Sequence, residues 1–437
     1  MQAASAPSPS APRPIVFDLT HLVSRLPTLS STGIDRVDLA YAAHFAGGGR
    51  MAAALHYGLR RPHLMSVDTA RKFVRVSQGL WRQEGDAEPR ETFSAALEWL
   101  AAAPRRRVPK PPPSAAVANR ARGARRLHHL IGRLTHERSL AVPDGAIYLN
   151  VAQHLFERPV FFRWLKQRPD LCNVFMIHDL LSIDYPEYFP TANLDLFRRR
   201  LGTAFLHADV FIVSTNAVKA RLEEELRRQA ARLRPIHVQP FPSPLEGEAR
   251  PSSAGAPWRG HPYFVTFGTI EPRKNHLLLL HVWRKLIARD ADSPRLVIVG
   301  RRGWENEQVA DILDRSVALR SHILEIEALM SANLIDLLLG ARALLLPSFD
   351  EGYGLPLVEA LSLGTPVVAS DIPVFHEVTQ ERATFLSPLD GPGWRETVIR
   401  LTGDAGFAAE KRAQAQMFKP PTWAGYFRDL DAFFASL

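Results

Sequence analysis

Short apolar runs alternating with helix-period segments constrain this chain more than any other feature. Residues 15–19, 146–150, 173–177 and 210–214 form one set of such runs, and residues 264–268, 296–300, 343–347 and 367–370 a second. They are apolar throughout and do not alternate with polar residues, the pattern of parallel strands covered by helices on both faces. Segments 34–45, 194–207, 217–229, 276–289, 307–319, 333–339 and 357–363 carry helix-period apolar residues. The βα alternation therefore occurs twice, which predicts an α/β fold of two doubly wound domains facing across a cleft. Residues 239–262 are dense in Pro, Gly and Ser and separate the two sets. The expected division is a tail over 1–14, a first domain over 15–245, a linker over 246–262, a second domain over 263–418 and a terminal helix within 419–437.

With 437 residues, 46% of them apolar, the chain has material for two full cores. One cysteine, Cys172, excludes an intramolecular disulfide and any zinc site built on several thiolates. No apolar run reaches the roughly 18 residues of a membrane span. The Ala-, Ser- and Pro-rich start lacks an apolar stretch behind a charged end, so it reads as a disordered tail and not as a signal peptide. A cytoplasmic protein is the expectation.

The net charge of +9 invites a nucleic-acid reading, but its distribution argues against one. Ten of the 54 basic residues and one of the 45 acidic ones lie between Pro104 and Arg138, leaving 44 of each elsewhere. The charge is a local insertion within the first domain. Three consecutive prolines at 111–113 forbid a helix or central strand there. Residues 104–138 are either a solvated loop or a patch for an anionic membrane surface, where each basic residue contributes on the order of 1 kcal/mol.

Two strand-to-helix loops carry the chemistry. Residues 348–361, SFDEGYGLPLVEAL, follow a strand and open a helix. Gly352 and Gly354 let the backbone turn sharply and approach a ligand. Pro356 suits a first helical turn, whose free N–H groups make a phosphate site. Glu351 and Glu359 flank that site eight positions apart. Acids beside a phosphate site have hydroxyl groups, such as those of a sugar, as natural partners. The second loop, FGTIEPRKNH at 267–276, places Arg273 and Lys274 at a helix start. Basic residues there oppose the helix dipole unless an anion lies between them.

On these residues the chain resembles the retaining, nucleotide-sugar-dependent glycosyltransferases of family four, which have the GT-B fold of two Rossmann-like domains. The spacing of Glu351 and Glu359 within DEGYGLPLVEAL is the most specific feature of the resemblance. GTIEPRKN at 268–275, GRRGWENE at 300–307 and GTPVVASDIPVFHEV at 364–378 match as well. In the first half, STGIDRVDLAYA at 31–42, IHDLLSIDYPEYF at 177–189 and ADVFIVST at 208–215 resemble the acceptor-side glycine loop, the segment of the cleft histidine and the strand beneath it.

The resemblance implies that Arg273 and Lys274 hold the donor diphosphate, with Gly268 and Thr269 beside it. Some relatives carry an arginine where this chain has Thr269. It implies that Glu351 contacts the transferred sugar, Glu359 the ribose, and the backbone around Gly352, Tyr353, Gly354 and Leu355 the phosphates. His178 would face the sugar and the acceptor oxygen, with Gly33, Asp179 and Ser214 contacting substrate. A lone histidine after a buried strand is more often structural, so on the residues alone His178 stays open. The terminal segment 418–434 resembles the helix with which the family crosses back onto its first domain, with Trp423 as an anchor.

The implied activity is transfer of a sugar from a nucleoside diphosphate sugar, with GDP-mannose as the favoured guess, to an acceptor hydroxyl with retention. A lipid-linked oligosaccharide or polysaccharide precursor at the inner face of the plasma membrane is the expected acceptor. No acidic D-x-D clamp is evident, so no metal and no other cofactor are expected. An epimerase or hydrolase on the same fold, or a non-catalytic sugar-nucleotide or membrane-binding protein, are the alternatives.

Overall fold

The computed structural model describes residues 12–25, 33–57, 62–83, 90–102, 140–247, 260–327 and 329–437. The tail 1–11, the basic segment 104–138 and linker residues 248–259 lie outside the described residues.

The first sheet contains β1 (Ile15–Asp18), β2 (Met51–Tyr57), β3 (Pro62–Met65), β4 (Ile147–Asn150), β5 (Cys172–Met176), β6 (Val210–Val213) and β7 (Ile236–Val238). Their order is β3-β2-β1-β4-β5-β6-β7. The second contains β8 (Tyr263–Phe267), β9 (Arg295–Val299), β10 (Ile323–Ile326), β11 (Leu344–Leu346), β12 (Val367–Ser370) and β13 (Thr384–Leu386), in the order β10-β9-β8-β11-β12-β13. Every residue of β1, β4, β5, β6, β9, β11 and β12 is buried, which accounts for runs without polar alternation.

Two features depart from the expectation. The first sheet is mixed, because β3 pairs antiparallel with β2 at its edge. The sequence reading also missed β2, β3, β7, β10 and β13. β2 reads MAAALHY, with no β-branched residue to mark it, and is a strand because β1 and β3 pair with it. β7, β10 and β13 have only three or four residues each.

The topology decides where ligands can bind. In such sheets the crevice opens at the carboxyl ends of the two strands where the winding reverses. That point lies between β1 and β4 in the first sheet and between β8 and β11 in the second. The loops after β8 and β11 are the two loops singled out from sequence.

The C-terminal helix Trp423–Ala435 packs on the first unit, against the helix Gly33–Gly47. The hydroxyls of Tyr41 and Tyr426 are 2.6 Å apart, and the His44 ring stacks on Phe427 at 4.0 Å. Arg50 Nη1 donates to the Asp431 carboxylate at 2.8 Å, and His44 Nε2 lies 2.8 Å from its other oxygen. Trp423 stacks on Phe427 at 5.5 Å.

Candidate active site

The loop after β8 is built on close backbone approach. Gly268 has φ +135°, and a Cβ at Gly300 would lie 1.9 Å from the Gly268 carbonyl oxygen. A Cβ at Gly303 would lie 2.6 Å from Thr269 Cγ2, so the loops after β8 and β9 interlock through glycines. Arg273 and Lys274 lie in a 3-10 turn, Pro272–Lys274, and not in the first turn of the following helix. Asn275, at φ 53°, takes the left-handed conformation between that turn and the helix His276–Arg289. Its side-chain amide donates to the carbonyls of Pro347 and Pro388, pinning the turn beside β11.

After β11 the chain enters the acidic loop. Ser348 Oγ donates to Glu351 Oε1 at 2.9 Å. Lys274 Nζ donates to the same oxygen, and Arg273 Nη1 lies 2.6 Å from Glu351 Oε2. Arg273 also donates to the Asp350 carbonyl (2.7 Å) and to Glu271 (2.6 Å). Burial alone would raise the Glu351 carboxyl, but Arg273 and Lys274 outweigh it and hold the group down at about 2. Burial likewise opposes the Arg273 charge, and Glu351 and Glu271 reverse that effect and raise its pKa. Glu271 is pushed up by burial.

Gly354, at φ +94°, is the N-cap of the helix Leu355–Ser362, with Pro356 in its first turn. Glu359 lies one turn in and is buried. Its cation partner is Arg36 of the first unit, whose Nη1 donates to Oε1 at 3.2 Å. Burial pushes the Glu359 carboxyl up to about 7, with Arg36 acting in the opposite direction.

The first unit meets this surface with every residue assigned to it from sequence. A Cβ at Gly33 would lie 2.8 Å from Leu355 Cδ1. A Cβ at Gly352 would lie 2.7 Å from the His178 carbonyl oxygen and 2.8 Å from Asp179 Cβ. Ser214 Oγ, just past β6, donates to the Gly352 carbonyl at 3.2 Å. His178 Nε2 donates to the Val151 carbonyl at 2.8 Å, which fixes the tautomer and leaves Nδ1 as the acceptor. Burial lowers the His178 pKa to about 4, so the ring is neutral at physiological pH. Asp179 Oδ1 accepts from the Leu181 amide, and burial raises its pKa. The Tyr353 hydroxyl donates to the Phe241 carbonyl at 2.6 Å, so its side chain is spent on packing against the first unit.

Several contributors were not singled out from sequence. Arg36 lies three residues after Gly33 in the quoted STGIDR segment, and Glu271 lies within the quoted EPRK run. Arg221 bridges Asp184 and Asp350, and the rings of Tyr188 and Phe349 stack at 5.1 Å. Trp304 Nε1 donates to the Tyr188 carbonyl at 2.9 Å. Apart from Arg221–Asp184, 37 positions apart, these pairs join residues more than 100 positions apart, beyond any local signal. Among the described residues no group of His, Cys, Asp or Glu is arranged to hold a metal ion, and no helix is long and apolar enough to cross a membrane.

Residues 255–388 match the family described as glycosyl transferases group 1, a span that contains both strand-end loops. That match lies in the second unit, and the chain has the GT-B fold. It is 29% identical over 256 residues to the serotype-specific mannosyltransferase WbdA of Escherichia coli, covering 56% of this chain and 31% of that protein. It is 34% identical over 140 residues to the O-antigen chain mannosyltransferase RfbU of Salmonella typhimurium, covering 32% and 38%. The chain thus spans about a third of the length of these curated relatives. An α,α-trehalose-phosphate synthase (UDP-forming) from Burkholderia vietnamiensis superposes over 98% of this chain and 99% of its own, at 12% identity and a TM-score of 0.55. A sucrose-phosphate synthase from Thermosynechococcus elongatus covers 66% and 73% at 19% identity and a TM-score of 0.52.

Proposed function

We propose that this protein is a retaining, metal-independent glycosyltransferase that moves a hexose from a nucleoside diphosphate sugar to a saccharide hydroxyl. The observation that carries this reading is the buried cluster of Glu351, Arg273 and Lys274 at the β8/β11 switch point. Breaking the anomeric bond develops negative charge on the diphosphate and positive charge on the sugar. Arg273 and Lys274 answer the first by preorganised electrostatics, and the start of the helix Leu355–Ser362 adds its N–H groups. Glu351 is placed for the hydroxyls of the transferred sugar and Glu359 for the ribose. The neutral His178 offers an imidazole beside the acceptor oxygen without adding charge.

Mannose from GDP-mannose is the favoured donor, supported by the mannosyltransferases among the relatives. A polysaccharide or lipid-linked oligosaccharide precursor is the favoured acceptor. Such an acceptor would bring the chain to an anionic membrane surface, for which residues 104–138 carry the charge.

Thermal melts against a panel of nucleotide sugars test the reading. A donor at 1 mM with a Kd near 10 μM would stabilise the chain by roughly 2.7 kcal/mol. No stabilisation by any of them would refute it. Activity is expected to survive excess EDTA, because protein cations and peptide dipoles neutralise the diphosphate. Loss of activity that magnesium or manganese restores would show this view of the phosphate site to be wrong. Donor turnover at an undiminished rate without acceptor would favour the epimerase or hydrolase reading.

A further inference from the structure

Residues 349–351 carry Glu351 into the cleft, and an arginine from each unit clamps them. From the second unit, the Arg273 carbonyl accepts from the Phe349 amide at 2.9 Å, and Arg273 Nη1 donates to the Asp350 carbonyl at 2.7 Å. From the first unit, the Tyr188 ring stacks on Phe349, and Arg221 Nη1 donates to Asp350 Oδ2 at 2.8 Å. The other carboxylate oxygen, Asp350 Oδ1, accepts from the Glu351 amide at 2.7 Å. Arg221 therefore reaches the backbone of Glu351 through one intervening side chain.

The second arm of the same guanidinium goes elsewhere. Arg221 Nη2 donates to Asp184, at the end of the short helix Leu181–Asp184 that follows His178 and Asp179. Arg221 itself stands on the helix Asn216–Arg228. One side chain thus spans the segment bearing His178 and the loop bearing Glu351. A planar fork with fixed donor directions sets two acids relative to each other in a way that a lysine ammonium does not. The Arg221 and Asp184 side chains are 24% and 32% exposed, where an ion pair adds little stability. Asp350, at 11%, is the enclosed partner, so removing Arg221 leaves a poorly solvated carboxylate next to Glu351.

We propose that Arg221 is a positioning residue for Glu351: through Asp350 it sets, from the N-terminal unit, where the Glu351 backbone stands relative to the His178 segment. The transferred sugar then meets a completed site only when the two units are in contact. The inference rests on the donor-site reading given above, in which Glu351 serves the sugar and Arg273 and Lys274 the diphosphate. Those two cations sit on a separate turn, which Asn275 pins to the Pro347 and Pro388 carbonyls. Loss of Arg221 therefore bears on the sugar and largely spares the diphosphate.

GDP, UDP, ADP and dTDP are titrated into the full chain by calorimetry, and whichever binds is followed by its mannose and glucose conjugates. Arg221→Ala is expected to weaken the sugar conjugate about tenfold or more while changing the free diphosphate by less than about twofold. Arg221→Lys, which keeps the charge and loses the fork, is expected to restore part of the loss. Arg221→Ala should add little to Asp350→Asn, because both break one relay. Hydrogen exchange over residues 349–353, which needs no ligand, should quicken in Arg221→Ala. Glu377→Ala, which loosens the same helix where it meets the opposite unit, should leave the ratio of conjugate to diphosphate affinity unchanged. Equal losses for conjugate and diphosphate, additive losses in the double variant, or the same change of ratio in Glu377→Ala would make Arg221 a general contact between units and overturn the inference. Unchanged exchange over 349–353 would overturn it as well. If the wild-type chain binds none of the four diphosphates, the donor-site reading falls and takes this inference with it. Circular-dichroism melts check the fold, and if Arg221→Ala melts early, Arg221→Lys and Asp350→Asn carry the same comparison.

Discussion

Glu351 and Glu359 are both buried glutamates, yet their environments drive them apart. Two cations and the Ser348 hydroxyl converge on Glu351, which is held at about 2. Glu359 faces the half-exposed Arg36 and is pushed to about 7. Folding thus favours the neutral form of Glu359. Its contribution to stability is full below the ordinary carboxyl value of 4.5 and is lost as pH rises through 7. Glu359→Gln should remove this dependence. The stability difference between variant and wild type should shift in the variant's favour by up to about 3 kcal/mol between pH 4.5 and pH 8, measured by urea unfolding. A difference that stays constant with pH would show that Glu359 titrates normally. The proposed roles also separate kinetically. Glu351→Ala should bind nucleoside diphosphate nearly normally yet lose roughly 2–4 kcal/mol of transition-state stabilisation, read in kcat. Glu359→Ala should chiefly raise the donor KM, because ribose contacts do not change during reaction. The opposite pattern would reverse the two assignments.

At the level of elements, the site depends on loops that interlock through missing side chains. The Gly268 carbonyl occupies the space of a Gly300 Cβ, and neither backbone can yield without moving β8 or β9. Gly300→Ala should therefore destabilise by about 1–3 kcal/mol and displace the 268–275 loop, weakening diphosphate binding with it. Gly403→Ala is the control, since a Cβ there meets nothing within 4 Å at the end of a helix. Gly403→Ala should be neutral or slightly stabilising, because it only restricts the unfolded chain, and a comparable loss at both positions would show that the interlocked loops do not set the cost at Gly300. The left-handed Asn275 serves the same loop differently, turning the chain so that Arg273 and Lys274 point at Glu351 and not along the helix.

Across the whole molecule, polar contacts hold the two units at defined points. The Glu377 carboxylate accepts from the Asn216 and Ala217 amides and from Asn216 Nδ2, capping the helix Asn216–Arg228 from the opposite unit. Thr215 caps the same helix from within, accepting from the Val218 amide at 3.1 Å. Glu377→Ala should cost about 1 kcal/mol and speed hydrogen exchange at residues 216 and 217, while the Val218 amide stays protected by Thr215. Unchanged exchange at 216 and 217 would show that the cross-unit cap contributes nothing in solution. Together with the Arg221–Asp350 pair and the Tyr188–Phe349 stack, this cap makes the relative position of the units a property of many weak contacts.

The sequence by itself determined the double βα alternation and the two strand-end loops. It also singled out Glu351, Glu359, Arg273, Lys274 and His178. Those features are written locally: strand burial shows in uninterrupted apolar runs, and glycine and proline punctuate the turns. Only the tertiary structure decided which cation meets which acid. Glu359 pairs with an arginine 323 residues away, and Gly352 packs on His178 and Asp179, because two separately wound sheets close on one another. The alanine-rich β2 and the short β7, β10 and β13 became strands for the same reason. Their backbone groups found partners in neighbours already in place, and no periodicity of their own could announce it.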